Sequence, residues 1–108
     1  MITKRIQTIL ICMILPVHVL FAGTTGKISG RVTDKETGEP LIGANVMVDG
    51  TPLGAATDTD GNYFILQVSP GTYTVRFTMI GYKTLIMNDV RIRVDLTTTL
   101  NGKLDEST

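Results

Sequence analysis

Regular alternation of apolar and polar residues runs through most of the chain after residue 26. The clearest example is the segment 72–79 (TYTVRFTM), whose second, fourth, sixth and eighth residues are apolar. A period of two places successive side chains on opposite faces of a β-strand. This segment therefore predicts a strand with one buried face, formed by Tyr73, Val75, Phe77 and Met79.

Six further segments carry the same signal, and no helical period follows the first 22 residues. They are 27–34, 41–49, 53–58, 62–68, 83–87 and 90–96. Six or seven short strands separated by turn residues predict an all-β sandwich. The predicted inward side chains are Ile28, Gly30, Val32, Ala44, Val46, Val48, Phe64, Leu66, Val68, Val90, Ile92, Val94 and Leu96.

Glycine and proline mark the predicted turns. Asp60-Gly61 is predicted to be a two-residue type I′ hairpin turn, in which both central residues need a positive φ. Pro70-Gly71 predicts a second turn and Gly81 a bend. Gly38, within the polar stretch 34–40, is predicted to be left-handed.

The first 22 residues resemble a secretory signal peptide. Lys4 and Arg5 precede the apolar stretch 9–15, and a small residue, Ala22, is the predicted cleavage position. A membrane anchor is the alternative, but a span needs about 20 predominantly apolar residues, and Pro16 and His18 interrupt this one. The sequence therefore predicts a signal peptide over 1–22, a domain over 23–102 and a polar, frayed tail over 103–108.

Composition after the predicted cleavage narrows the function. Eight basic and ten acidic side chains remain, so no basic face for nucleic acid is expected. The only cysteine, Cys12, and the only histidine, His18, lie in the predicted signal peptide. The remaining chain lacks a thiol and an imidazole, which are common catalytic groups and metal ligands. We therefore predict no catalytic residues, no metal and no cofactor.

Five motifs in order resemble one known family. They are 27–32 (KISGRV), 41–46 (LIGANV), 57–64 (TDTDGNYF), 70–73 (PGTY) and 81–82 (GY). Together they resemble the carboxypeptidase regulatory-like domain, from about residue 26 to residue 100. The resemblance implies a transthyretin-like, seven-stranded Greek-key β-sandwich without peptidase chemistry of its own.

The resemblance also implies a location and a context. In bacteria, domains similar to this one follow the signal peptide of TonB-dependent outer-membrane receptors and precede the plug and barrel. The segment 103–106 (KLDE) is similar to the start of the stretch that leads into such a plug. The chain is therefore expected in the periplasm, as part of a receptor involved in nutrient uptake or as a free relative of one.

Three sets of residues resemble known kinds of site. Asp58, Asp60 and Asn62 have the spacing of a calcium loop, but the sixth and twelfth positions of that loop are not Gly and an acid, so a plain turn is favoured. Tyr63 and Tyr82 could form a sugar-stacking platform if exposed, whereas the commoner role of Tyr73 and Tyr82 is a core or corner residue.

A Lys–Asn crosslink of the pilin type would use Lys27 and Asn101. Its accompanying buried acid is expected in the strand that contains Tyr73, at a position that holds Phe77. Two ordinary surface residues are therefore favoured over a crosslink.

The function predicted from the sequence is a non-catalytic interaction module that contacts a periplasmic or outer-membrane protein, including a receptor plug and barrel in the same chain. Arg76, Arg91 and Arg93, on polar strand faces, are the candidate contacts. The alternatives are a carbohydrate-binding module, with a glycan as its ligand, and a structural spacer. Edge strands offer backbone pairing to a partner.

Overall fold

A computed structural model describes residues 23–107, and this part of the chain is entirely β-structure and irregular segments. The predicted signal peptide lies outside the described residues. The strands are β1 (Gly26–Asp34), β2 (Asn45–Val48), β3 (Gly54–Ala56), β4 (Asn62–Val68), β5 (Gly71–Thr78), β6 (Leu85–Ile92), β7 (Thr97–Thr99) and β8 (Gly102–Leu104).

Two sheets form a sandwich, which confirms the predicted fold class. The first sheet has the order β4-β1-β7 with β8 also on β1, and the second has the order β3-β2-β5-β6. β7 and β8 both run parallel to β1, beside 27–29 and 32–34 respectively. Since they follow one edge of β1, they amount to one interrupted strand, and the sandwich has seven strands in all.

The interruption between β7 and β8 is held by a close approach to Gly30. A Cβ at Gly30 would overlap the carbonyl of Leu100, so a side chain there is excluded. The Leu100 N–H donates to Ser29 O at 2.8 Å, and the Asn101 Oδ1 atom accepts from the Arg31 N–H at 2.9 Å. These two hydrogen bonds replace the backbone bonds between β1 and its neighbour that are missing at the interruption.

The core lies between the sheets and matches the predicted inner faces of β1, β2 and β5. Six predicted side chains are fully buried there: Ile28, Val32, Val46, Val48, Val75 and Phe77. Aromatic contact adds to this packing, because the rings of Tyr63 and Phe77 meet edge to face with centroids 6.0 Å apart.

The predicted inner face of β4 is wrong by one residue. Tyr63 and Ile65 are 2% exposed, whereas Phe64 is 65% and Leu66 60% exposed. Val68 is buried as predicted, because Gln67 adopts a φ of 58° at a bulge in the pairing with β1. A bulge adds one residue and reverses the alternation beyond it.

The region after Gly81 also differs from prediction. The strands predicted over 83–87 and 90–96 form one strand, β6, with a register shift and Asp89 at a φ of 58°. Val90 and Ile92 are buried as predicted. The chain then turns, which leaves Val94 40% and Leu96 52% exposed, contrary to prediction.

The segment predicted as a frayed polar tail continues the fold. Leu104 in β8 is fully buried, and Gly102 fits against the Phe77 ring. Beyond β8, the Lys83 N–H donates to Asp105 O and the Ser107 N–H donates to Gly81 O. Burial of Leu104 and the pairing of β8 with β1 both stabilise this strand in the sandwich.

Candidate functional site

The turn at Asp60-Gly61 is a corner between the sheets rather than a type I′ hairpin. It joins β3 of the second sheet to β4 of the first, and of its two residues only Gly61 has a positive φ, 77°. The turn closes through a bond from the Gly61 N–H to Asp58 O at 3.0 Å. The predicted turn type was therefore wrong, although the chain does reverse at these residues.

Asp58 supports this corner with its side chain. Its Oδ1 atom accepts from the backbone N–H groups of Asp60 and Asn62, each at 2.9 Å. This is the role of a turn aspartate that satisfies backbone donors. Within residues 23–107, no group of three or more His, Cys, Asp or Glu side chains is arranged to hold a metal ion.

The other two predicted turns also join strands, one between the sheets and one within the second sheet. Pro70 precedes Gly71, the first residue of β5, where the chain crosses from the first sheet to the second. Gly81, with a φ of 87°, lies in a tight turn closed by a bond from the Tyr82 N–H to Met79 O at 3.1 Å.

Over the described stretch, no helix is sufficiently long and apolar to span a membrane.

The three candidate arginines do not form one cluster. Arg76 on β5 makes an ion pair with Asp49, with nitrogen–oxygen distances of 3.2 and 3.4 Å. Arg91 lies opposite Thr72 at the other end of the β5–β6 pair, and Arg93 follows the end of β6. Both are exposed, whereas the charge of Arg76 is already partnered.

The tyrosines occupy three different environments. Tyr63 is buried and donates its hydroxyl to Leu100 O, so it does not meet the condition of exposure on which the alternative of a Tyr63–Tyr82 platform depended. Burial raises the pKa of the Tyr63 phenol. Tyr73 donates to Ser69 O at 2.7 Å, which confirms its predicted role at a corner.

Tyr82 takes part in a part-buried contact with a carboxylate. Its hydroxyl donates to the Asp34 Oδ2 atom at 2.7 Å, and Asp34 is only 7% exposed. This bond, together with the N–H groups of Thr37 and Glu36, lowers the Asp34 pKa below 3.8. The same bond is the main cause that raises the Tyr82 pKa to about 12. These groups link loops rather than offer a reactive centre.

The exposed surface that sequence inspection missed lies on β4. Phe64 and Leu66 project from the outer face of the first sheet, beside a shallow depression of about 330 Å³ lined by Ser29, Gly30, Arg31, Asn62, Tyr63, Phe64 and Asn101. A signal for it exists in the sequence. Residues 63–66 are all apolar, and a strand with one buried face must leave two of the four exposed.

Comparisons with known proteins agree with this architecture. Residues 28–108 match the CarboxypepD_reg-like domain. The TonB-dependent receptor P3 of Formosa agariphila is 32% identical over 81 residues, and the TonB-dependent receptor SusC of Bacteroides thetaiotaomicron is 50% identical over 56. The matches cover 75% and 52% of this chain. They span only 8% and 5% of the two receptors.

Solved structures show the same sandwich. A type II cohesin–X–dockerin complex of Acetivibrio cellulolyticus matches with a TM-score of 0.62 and 29% identity over 71% of this chain and 52% of that one. The TIE protein of Bacillus anthracis matches with a TM-score of 0.65 and 19% identity, over 77% of this chain and 17% of that one. The second likeness concerns the fold alone.

Proposed function

Since this chain belongs to the CarboxypepD_reg-like domain family, we propose that it is a non-catalytic, exported interaction module that forms the N-terminal extension of a TonB-dependent outer-membrane receptor. The similarity to two such receptors, over a small fraction of their length, carries the proposal. The module lies in the periplasm, at the inner face of the outer membrane, and assists nutrient uptake through protein–protein contact.

The composition supports the non-catalytic part of the proposal. Cys12 and His18 both precede residue 23, so the sandwich contains neither a thiol nor an imidazole. Its most perturbed carboxylate, Asp34, is occupied by three donors from its own fold. Arg91 and Arg93 are both exposed and remain candidate contact residues. Their partner could be a separate periplasmic or outer-membrane protein, or the plug and barrel of the same receptor.

The test compares three forms of the full-length receptor in its own host. One is intact, one lacks residues 26–107, and one carries an unrelated β-sandwich of similar size in their place. An interaction module predicts loss of substrate uptake in both altered forms. A structural spacer predicts that the substitute sandwich restores uptake. Unchanged uptake after deletion would contradict a role of the domain in uptake. A reading frame that stops at Thr108 would contradict the proposal that the domain is the N-terminal extension of a receptor.

Carbohydrate binding is the second candidate, favoured by the depression beside Phe64. An exposed aromatic face next to the amides of Asn62 and Asn101 is the combination that stacks on a sugar ring and bonds its hydroxyls. Glycan-array binding that is lost in Phe64→Ala and kept in Ile86→Ala would support it. Absence of binding across the array would exclude it.

A further inference from the structure

The edge of β4 away from β1 presents unpaired backbone groups. The Asn62 N–H and C=O both bond to Asp58, so they point away from β1. Backbone groups alternate in direction along a strand, so those of Phe64 and Leu66 point the same way. Neither residue makes an outward backbone bond within residues 23–107.

The hydrogen bonds of β1 independently show that the backbone groups of Phe64 and Leu66 point away from β1. The Lys27 N–H, the Ser29 C=O and the Arg31 N–H all bond towards the β7 side. The intervening residues of β1 must then bond to β4, through Tyr63 and Ile65. The directions of the Phe64 and Leu66 backbone groups therefore follow from both neighbours.

β4 has a bulge at Gln67, as β6 has at Asp89, but it lacks the charges, the short length and the interruption that protect the other edges of the described sheets. β3 has three residues, β6 carries Asp89 and Arg91, and the β7–β8 edge is interrupted. β4 has seven residues with no charge and no proline. Folded proteins normally avoid a long uncharged edge with exposed apolar side chains, because it pairs with other strands.

Charge around this edge is predominantly positive. Lys27 and Arg31 lie outward on β1, and Lys103 lies outward on β8. No strand residue on the outer face of the first sheet is acidic, and the corner that precedes β4 carries the carboxylates of Asp58 and Asp60. Lys27 lies between Gly26 and Ile28, which pair with Val68 and Ile65, so it is beside Leu66 on the neighbouring strand.

We propose that the free edge of β4 binds an extended, acidic segment of a protein partner as an added strand. This proposal rests on the interaction-module function and names its surface and the chemistry of its partner. Main-chain bonds to Phe64 and Leu66 supply the pairing, their side chains supply apolar contact, and Lys27, Arg31 and Lys103 select against basic segments.

The test uses the purified chain and two short synthetic peptides, one alternating valine with glutamate and one alternating valine with lysine. Binding is measured by titration calorimetry, and amide hydrogen exchange locates it. We expect the acidic peptide to bind at least about tenfold more tightly. We also expect it to slow exchange at the amides of Phe64 and Leu66.

Four variants separate backbone, side-chain and charge contributions. Leu66→Pro removes one outward N–H, and the double variant Phe64→Ser, Leu66→Ser removes the apolar contacts; each is expected to weaken acidic-peptide binding at least about tenfold. The double variant Lys27→Glu, Lys103→Glu should abolish the preference for the acidic peptide. Ile86→Ser, a similar change at a 46% exposed residue on β6, should leave binding unchanged. Melting curves verify that each variant is folded.

Equal binding of both peptides, no binding, or protection elsewhere would overturn the proposal. Concentration-dependent protection of the same amides without peptide would assign the edge to a second copy of the chain and overturn it as well. These failures leave the uptake experiment untouched, since a receptor whose uptake depends on the domain could use another surface. The proposal for the β4 edge can therefore be overturned without overturning the proposed role of the domain in uptake.

Discussion

The hydroxyl of Tyr82 donates a hydrogen bond to the carboxylate of Asp34, 48 residues away, at 2.7 Å. Asp34 ends β1 of the first sheet, and Tyr82 lies in the turn that follows β5 of the second. The other oxygen of Asp34 accepts the N–H groups of Glu36 and Thr37. One side chain therefore ties a local loop to the opposite sheet.

The stability of the domain should depend on pH through this contact. Folding lowers the Asp34 pKa below 3.8, so its contribution is present above that value and is lost as the pH falls through the folded pKa. Folding raises the Tyr82 pKa from 10.0 to about 12, so its contribution is present below pH 10 and is lost towards pH 12. Melting temperatures recorded across both ranges would measure the two losses.

Tyr82→Phe provides the matched control for this pH dependence. Without the hydroxyl, the Asp34 pKa should rise towards 3.8 while the bonds from Glu36 and Thr37 remain, and the alkaline loss due to Tyr82 should disappear. An NMR titration of the Asp34 carboxyl measures the first effect directly. An unchanged Asp34 pKa in the variant would show that Tyr82 is not the main cause of its shift.

Truncation of two neighbouring aromatic residues on β4 should destabilise the domain to very different extents. Tyr63→Ala removes a ring that is 2% exposed and should cost about 3–5 kcal/mol. Phe64→Ala alters a ring that is 65% exposed and should cost under about 1 kcal/mol. Urea denaturation measures both. A larger loss for Phe64→Ala would mean that the strand faces the other way.

Tyr63→Phe isolates the hydroxyl of the buried ring. It removes the bond to Leu100 O and retains the edge-to-face contact with Phe77. The expected cost in the free energy of unfolding is about 1 kcal/mol, as for a typical hydrogen bond. A loss as large as that of Tyr63→Ala would instead point to a rearrangement of the β7–β8 interruption.

Gly30→Ala should destabilise the domain by about 1–3 kcal/mol. The added Cβ overlaps the Leu100 carbonyl oxygen, which accepts the Tyr63 hydroxyl. The Leu100 N–H donates to Ser29 O, so this backbone cannot move aside alone. Ser29→Ala, at the adjacent position, is the control and should cost less. Urea denaturation of both variants measures the difference, and a neutral Gly30→Ala would contradict the close approach.

Gln67 should tolerate glycine better than a β-branched residue. Its φ of 58° is costly for an L-residue by about 1–2 kcal/mol, whereas glycine avoids this cost but loses more entropy on folding. Gln67→Gly should therefore leave the free energy of unfolding unchanged or raise it by about 1 kcal/mol. Gln67→Val should lower it. The reverse order would mean that no left-handed bulge exists at this position.

Much of the fold could be predicted from local pattern. The strict alternation of 72–79 and the apolar triplet Ala44, Val46 and Val48 match the buried faces of β5 and β2. Gly38 is left-handed as predicted, with a φ of 75°. Each prediction depended on a few adjacent residues, because one strand face or one turn conformation was clearly favoured there.

The candidate site could not be predicted in the same way. Residues 63–66 offer two apolar faces, and only the bulge at Gln67 and the pairing with β1 place Tyr63 inside and Phe64 outside. Arg76 is polar by pattern, but its ion pair with Asp49 depends on which strand lies beside β5. The pairing of strands distant in sequence therefore decided which exposed side chains are free to contact a partner.

The sequence by itself determined that this chain is an all-β sandwich of the CarboxypepD_reg-like family, because alternation, turn residues and ordered motifs are local properties. Only the tertiary structure decided the register of β4, the capture of Leu104 in the core and the uncharged edge at Phe64 and Leu66. Each of these depends on a bulge or on a strand distant in sequence. Such pairings leave no periodic signal along the chain.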